Sequence, residues 1–85
     1  MENPEYYIYL LESVIDGIWY VGLSANPDER LKQHNRGKST FTKGHLPWKL
    51  LYQEKIGSLK EARIKEKYYK TAAGKRRLKK ILGRD

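Results

Sequence analysis

The chain has 85 residues, no cysteine and a formal net charge of +8. That length fits one domain with a modest core, and the lack of cysteine excludes disulfides and thiolate metal centres, leaving oxygen and imidazole donors for any metal. No apolar run approaches the ~20 residues of a membrane-spanning helix, and the first four residues lack the basic start and apolar stretch of a leader, so a cytoplasmic protein is expected.

Residues 5–11, rich in tyrosine and branched apolar side chains, read as a strand, and residues 18–23 as a second. Between them Asp16 and Gly17 both tolerate positive φ and are expected to form a two-residue hairpin turn. In that register Ser13 faces Tyr20, and strand alternation puts Tyr7, Tyr9, Leu11 and Tyr20 on one face. Asn26 then caps a helix, with Pro27 in its first position, Asp28 and Glu29 at the positive end of its dipole, and Gly37 at its close. Leu31 is nearly the only apolar residue of this helix. Arg30 and His34, four residues apart, share a face beside it, an unusual pair for an inward face.

Residues 36–47 form a polar loop that carries Lys38, Thr42 and Lys43, and residues 48–54 read as a third strand. Ser58 with Glu61 makes a capping box, which opens a helix reaching about Lys70. Leu59, Ala62, Glu66 and Tyr69 fall on one stripe of it, so Glu66 stands where an apolar residue is expected. Ile64 and Tyr68 lie opposite, which suggests packing on two faces. After Gly74 a basic helical segment at about 75–82 has Leu78, Ile81 and Leu82 as its apolar side. The expected fold class is α+β: a three-stranded antiparallel sheet flanked by helices, in the order strand-strand-helix-strand-helix-helix, as a single domain over 1–85.

The charge is uneven. Residues 1–54 carry six Lys/Arg against seven Asp/Glu, whereas residues 55–85 carry twelve against three. A basic last third favours a polyanionic partner, nucleic acid ahead of an anionic membrane.

Four features carry candidate chemistry: Tyr9 with Tyr20, Arg30 with His34, Glu66, and the basic segment. Each alone has an ordinary reading as a packing tyrosine, a solvent-facing helix pair, a boundary carboxylate or a solvated surface. Together they suit phosphodiester hydrolysis, which needs a base for water and a cation for the developing charge. Glu66 could hold one Mg²⁺ or Mn²⁺, hard ions that need few protein ligands. Arg30 offers a forked donor to phosphate. A free tyrosine, with a pKa of about 10, is a poor base, but a nearby Arg and a metal would lower it. His34 could assist or replace it.

These residues carry a resemblance. Tyr7-Ile8-Tyr9, then Tyr20-Val21-Gly22, then Arg30 and His34-Asn35 resemble the GIY-YIG nucleases, in particular their small stand-alone bacterial members. The likeness runs from about Tyr6 to Lys70 and takes in Thr42-Lys43-Gly44, Pro47-Trp48-Lys49-Leu50, Glu61-Ala62 and Glu66-Lys67. It implies that Tyr9 and Tyr20 are the motif tyrosines, one or both activating water, that Arg30 binds the scissile phosphate, and that His34 stands near the base. It also implies that Glu66 is the sole protein ligand of one divalent metal ion, Mg²⁺ or Mn²⁺, and that Gly22 allows close backbone approach. Gly22, Lys38, Thr42 and Lys43 are the candidate substrate-binding residues. The sequence departs from the family pattern at Tyr7 and Val21, has Leu23 where some members have lysine, and has no asparagine after Glu66. The expected function is a metal-dependent endonuclease acting on DNA rather than RNA, structure-specific and serving repair or recombination. A non-catalytic nucleic-acid-binding module of the same fold is the alternative.

Overall fold

The computed structural model describes residues 4–84. Strand β1 (Tyr6–Ser13) lies at the centre of a three-stranded antiparallel sheet, with β2 (Trp19–Ser24) on one side and β3 (Trp48–Gly57) on the other. Helix α1 (Pro27–Asn35) follows β2, and α2 (Leu59–Tyr69) and α3 (Ala72–Ile81) follow β3. The expected element order and α+β class hold.

Because successive side chains of β1 point to opposite faces, it feeds two cores. Ile8 and Leu10 pack with Val21, Tyr69 and Leu78 beneath α2 and α3. Tyr9 and Leu11 pack with Trp48, Tyr20 and Leu31 beneath α1. A register shift between Leu10 and Leu11 lets β3 change face, so that Leu50 joins the second core and Leu51 and Tyr52 the first. On the first face Glu54 accepts hydrogen bonds from the hydroxyls of Tyr52 at 2.8 Å and Tyr69 at 2.7 Å, tying α2 to β3. No helix among the described residues is long and apolar enough to cross a membrane.

Three local expectations change. The connection between the two strands is five residues long, 14–18, and Leu11 rather than Ser13 faces Tyr20. Ser13 Oγ accepts from the amides of Ile15 and Asp16 at 3.3 and 3.4 Å, and Asp16 accepts from that of Ile18 at 3.1 Å, so side chains build a wider turn than two residues could. Gly17 still supplies the positive φ. The register moved by two residues, so every side chain kept its face, and Tyr9 and Tyr20 remain together. Next, α3 begins at Ala72, capped by Thr71 Oγ1 on the amide of Gly74. Gly74 therefore lies inside the helix, at a position only glycine can fill, since a Cβ there would stand 2.0 Å from the Tyr68 carbonyl oxygen. Finally, α2 packs on one face only: Ile64 is 63% exposed and Tyr68 40%.

Candidate active site

His34 is the centre of the site. Asn26 Oδ1 caps α1 on the amide of Glu29 at 3.3 Å, and Leu31 seats the helix on the core, which turns His34 inward until it is buried. Its Nε2 lies 3.0 Å from the Tyr9 hydroxyl and its Nδ1 2.9 Å from Thr42 Oγ1. Neighbouring bonds lock both ends of this chain. The Thr42 carbonyl, in a 3₁₀ turn over Thr42–His45, accepts from Trp48 Nε1 at 2.8 Å. The Asn35 side chain accepts from the Trp48 amide at 2.6 Å and donates to its carbonyl at 3.0 Å, joining the end of α1 to the start of β3.

Tyr9 pairs with Gly22 across the two strands. A Cβ at position 22 would lie 2.3 Å from the Tyr9 hydroxyl oxygen, so only glycine lets that hydroxyl lie over β2. Tyr20 is the neighbouring ring, its centroid 6.3 Å from that of Tyr9 and 4.9 Å from that of His34. Tyr9 has no exposed surface, whereas Tyr20 is half-buried. Arg30 is exposed at the rim, one turn before His34, with Nη1 on Gln33 Oε1 at 3.0 Å. Glu66 sits partly exposed on α2 and pairs with Lys70 at 3.4 Å. The Lys70 ammonium in turn lies 6.0 Å from the Tyr20 ring centroid.

Burial raises the Tyr9 hydroxyl above its ordinary pKa, and neighbouring Tyr20 and Glu66 add to that; Arg30 pulls the other way and offsets only part of it. Arg30 lowers this tyrosine, as the sequence reading expected of an arginine, but desolvation outweighs its contribution. Burial and, after it, the Arg30 charge push His34 below its ordinary value, so the imidazole is neutral at pH 7.

Tyr9, Tyr20, Gly22, Arg30, His34 and Glu66 thus form one group, drawn from β1, β2, α1 and α2. Thr42 stands elsewhere than expected. It is fully buried behind His34 and has no surface to offer a substrate; its hydroxyl positions the imidazole instead. Lys38 and Lys43 are exposed on the loop between α1 and β3. One neighbour escaped the sequence reading. Phe41 stacks on Tyr20 with centroids 6.1 Å apart and is 51% exposed; the signal was the lone phenylalanine of the chain set in a polar loop. Of the two basic partners that the sequence offers Glu66, Arg63 and Lys70, it is Lys70, one helical turn on, that pairs with it.

Among the described residues no three His, Asp or Glu side chains cluster as a metal cage. Glu66 is the carboxylate of this group. Such a donor set fits a hard divalent ion that keeps most of its waters, and not a closed structural centre.

Comparison with known proteins identifies the family. A UPF0213 protein of Bacillus licheniformis is 41% identical over 76 residues, which cover 88% of this chain and 77% of that one. The UPF0213 protein YazA of Bacillus subtilis is 31% identical over 78 residues, covering 91% and 78%. The solution NMR structure of a UPF0213 protein from Bacillus halodurans matches with a TM-score of 0.56 at 32% identity, covering 91% of this chain and 84% of that one. Residues 5–80 match the family model described as the GIY-YIG catalytic domain. With most of its length inside that match and its paired tyrosines, arginine, histidine and glutamate gathered at one site, the chain belongs to the GIY-YIG family, a superfamily of nucleases.

Proposed function

We propose that the protein is a divalent-metal-dependent endonuclease that hydrolyses phosphodiester bonds in DNA, acting in the cytoplasm on branched, flapped or unpaired structures in repair or recombination. The observation that carries this reading is the Tyr9 hydroxyl held 3.0 Å from a neutral His34, with Arg30 and Glu66 both acting on it electrostatically.

Tyr9 alone is too weak an acid to serve as a base near neutrality, because burial raises its pKa. His34 removes that difficulty. A Thr42 hydroxyl that turns its own proton to the Ser39 carbonyl, 3.5 Å away, accepts from Nδ1–H of His34. Nε2 is then the free acceptor opposite Tyr9. As water attacks phosphorus, its proton passes to the Tyr9 oxygen while the tyrosine proton passes to Nε2, so no free tyrosinate is needed. The bond from phosphorus to the leaving oxygen breaks as the new one forms; the leaving oxygen takes its proton from solvent, and His34 afterwards releases its own to solvent. Tyr9 is closed off in the free protein, so the water it serves enters with the substrate past Tyr20 and Arg30. Arg30, permanently charged and exposed, grips the phosphate and stabilises its transition-state charge. Glu66 would hold the metal ion, which when bound supplies further neutralisation of the phosphate oxygens.

The test is cleavage of labelled single-stranded, duplex, flap and branched DNA by the wild type and Glu66→Ala, each with Mg²⁺, Mn²⁺ or EDTA. Cutting by the wild type alone, dependent on metal, is expected, with the variant folded by circular dichroism. Equal cutting by both proteins overturns the role of Glu66. Salt-sensitive binding with no cutting by either protein favours the non-catalytic module.

A further inference from the structure

We infer a second nucleic-acid contact, on the face of the sheet opposite the catalytic group: a pocket for one unpaired nucleotide between the hairpin end of the sheet and α3. A cavity of about 460 Å³ opens there, lined by Ile18 and Trp19 on one side and by Lys75, Lys79 and Arg84 on the other. That volume lies within the range of about 300–1,000 Å³ in which small-molecule-sized units are held.

The lining has the two parts that a nucleotide requires. Trp19 supplies a half-buried aromatic surface, and its indole N–H is fixed on Glu12 at 2.9 Å, which sets the ring plane. Lys75 and Lys79, four apart on α3, bring two ammonium groups to the same cavity; both are exposed, and among the described residues neither forms an ion pair. Glu12 also lines the cavity but does not repel an anion there. Arg84 at 2.6 Å and Lys49 at 3.4 Å neutralise it, and the hydrogen bonds from Trp19 and Arg84 hold its carboxyl below the usual range.

The chemistry selects an unpaired strand. A base within a duplex has its faces covered by its neighbours, so only an unstacked base can lie on Trp19 while its phosphate meets the lysines. The topology links this pocket to the site already described. Trp19 and Tyr20 are consecutive on the edge strand β2, the first packing with the α3 side and the second with the α1 side. Lys70, over the Tyr20 ring, ends α2 just before α3 begins. A strand passing Tyr20 can round the edge of β2 along Lys70 to Lys75 and Lys79. The pocket deepens the nuclease reading, on which it rests for the identity of the polymer but not for binding itself.

The experiment is equilibrium binding of a labelled 12-nucleotide oligothymidylate and a 12-base-pair duplex in EDTA, where no cutting intervenes. The proteins are the wild type, K75Q/K79Q, and R76Q/K80Q, which removes the same charge from the neighbouring face of α3 around a different cavity. K75Q/K79Q is expected to bind the single strand about tenfold more weakly and to lower its log–log salt slope by about 1.4, while R76Q/K80Q changes single-strand binding far less. W19L is expected to weaken single-strand binding about five- to 150-fold, with W19F retaining most of it. Equal losses for K75Q/K79Q and R76Q/K80Q on both DNAs overturn the pocket in favour of a general basic surface. Unchanged binding by K75Q/K79Q overturns it even if W19L fails to fold. Selective single-strand loss in a protein that cuts nothing with any metal leaves the pocket standing and removes the nuclease reading; the reverse pattern does the opposite.

Discussion

Two tyrosine clusters lie on opposite faces of the same sheet, and their chemistry differs. On the α2 side, Tyr52 and Tyr69 both donate to one Glu54 oxygen. Burial pushes Tyr52 up to about 12 and raises Tyr69 as well, and the carboxylate reinforces both shifts. Those protons have nowhere to go, since the partner is far more acidic than the phenols. On the α1 side the partner of Tyr9 is a neutral imidazole, with a guanidinium nearby. There the acceptor can take a proton near neutral pH. Burying a tyrosine does not by itself make a site; on the proposed nuclease reading, the acidity of its partner decides between a tether and a relay.

The largest test of that contrast removes one hydroxyl from each side. Tyr9→Phe should lower cleavage on the order of 10²–10⁴-fold, the range for a lost acid–base group, as read from single-turnover rates. Tyr69→Phe should leave the rate unchanged and cost about 0.5–1.5 kcal/mol in denaturant unfolding, the worth of one hydrogen bond. A rate loss from Tyr69→Phe would erase the distinction between the faces.

Gly22→Ala comes next. The added carbon must displace the Tyr9 hydroxyl, only 2.3 Å away, so a loss of about 1–3 kcal/mol in stability is expected together with a large fall in rate. Wild-type stability and rate in this variant would show that the hydroxyl has another place to go.

Thr42→Val keeps the shape and removes the partner of His34 Nδ1. A rate loss of roughly tenfold is expected, with an altered pH profile and the fold retained; Thr42→Ser should restore both. An unmoved pH profile would reduce Thr42 to packing.

The smallest effect is on stability against pH. The His34 pKa in the fold lies below its ordinary 6.5, so between those two values the unfolded chain binds more protons. His34 therefore takes nothing from stability above about pH 6.5, and stability falls as pH drops from there through the lower folded value. Thermal unfolding from pH 8 to 5 should show this slope in the wild type and a flatter one in His34→Gln.

The element order was legible because local signals set it: alternating tyrosines in β1, Asn26 and Ser58 as caps, and Gly37 closing α1 with positive φ. The hairpin register was not, because Ser13 gathers two amides with a side chain that a turn motif does not reveal. The candidate site was legible in its residue types and their spacing. Its internal wiring was not: Tyr9 and His34 are 25 residues apart, and Thr42 reads as one more polar loop residue until Trp48 fixes its turn. Ile64 and Tyr68 misled for a related reason, since periodicity marks an apolar stripe but not whether anything covers it.

Four consecutive residues of the central strand, Ile8, Tyr9, Leu10 and Leu11, are buried without a break. Two of them belong to one core and two to the other, so this short segment has no tolerant position at which sequence can drift. A library randomised along the whole chain should lose its survivors most sharply over these four positions, where the two cores draw on alternate residues. The exposed hairpin loop, three positions away, should accept almost anything that preserves Ser13, Asp16 and Gly17. Diversity among functional descendants of this chain would then be written in the hairpin loop and on the outer faces of the helices, while its middle stays nearly constant.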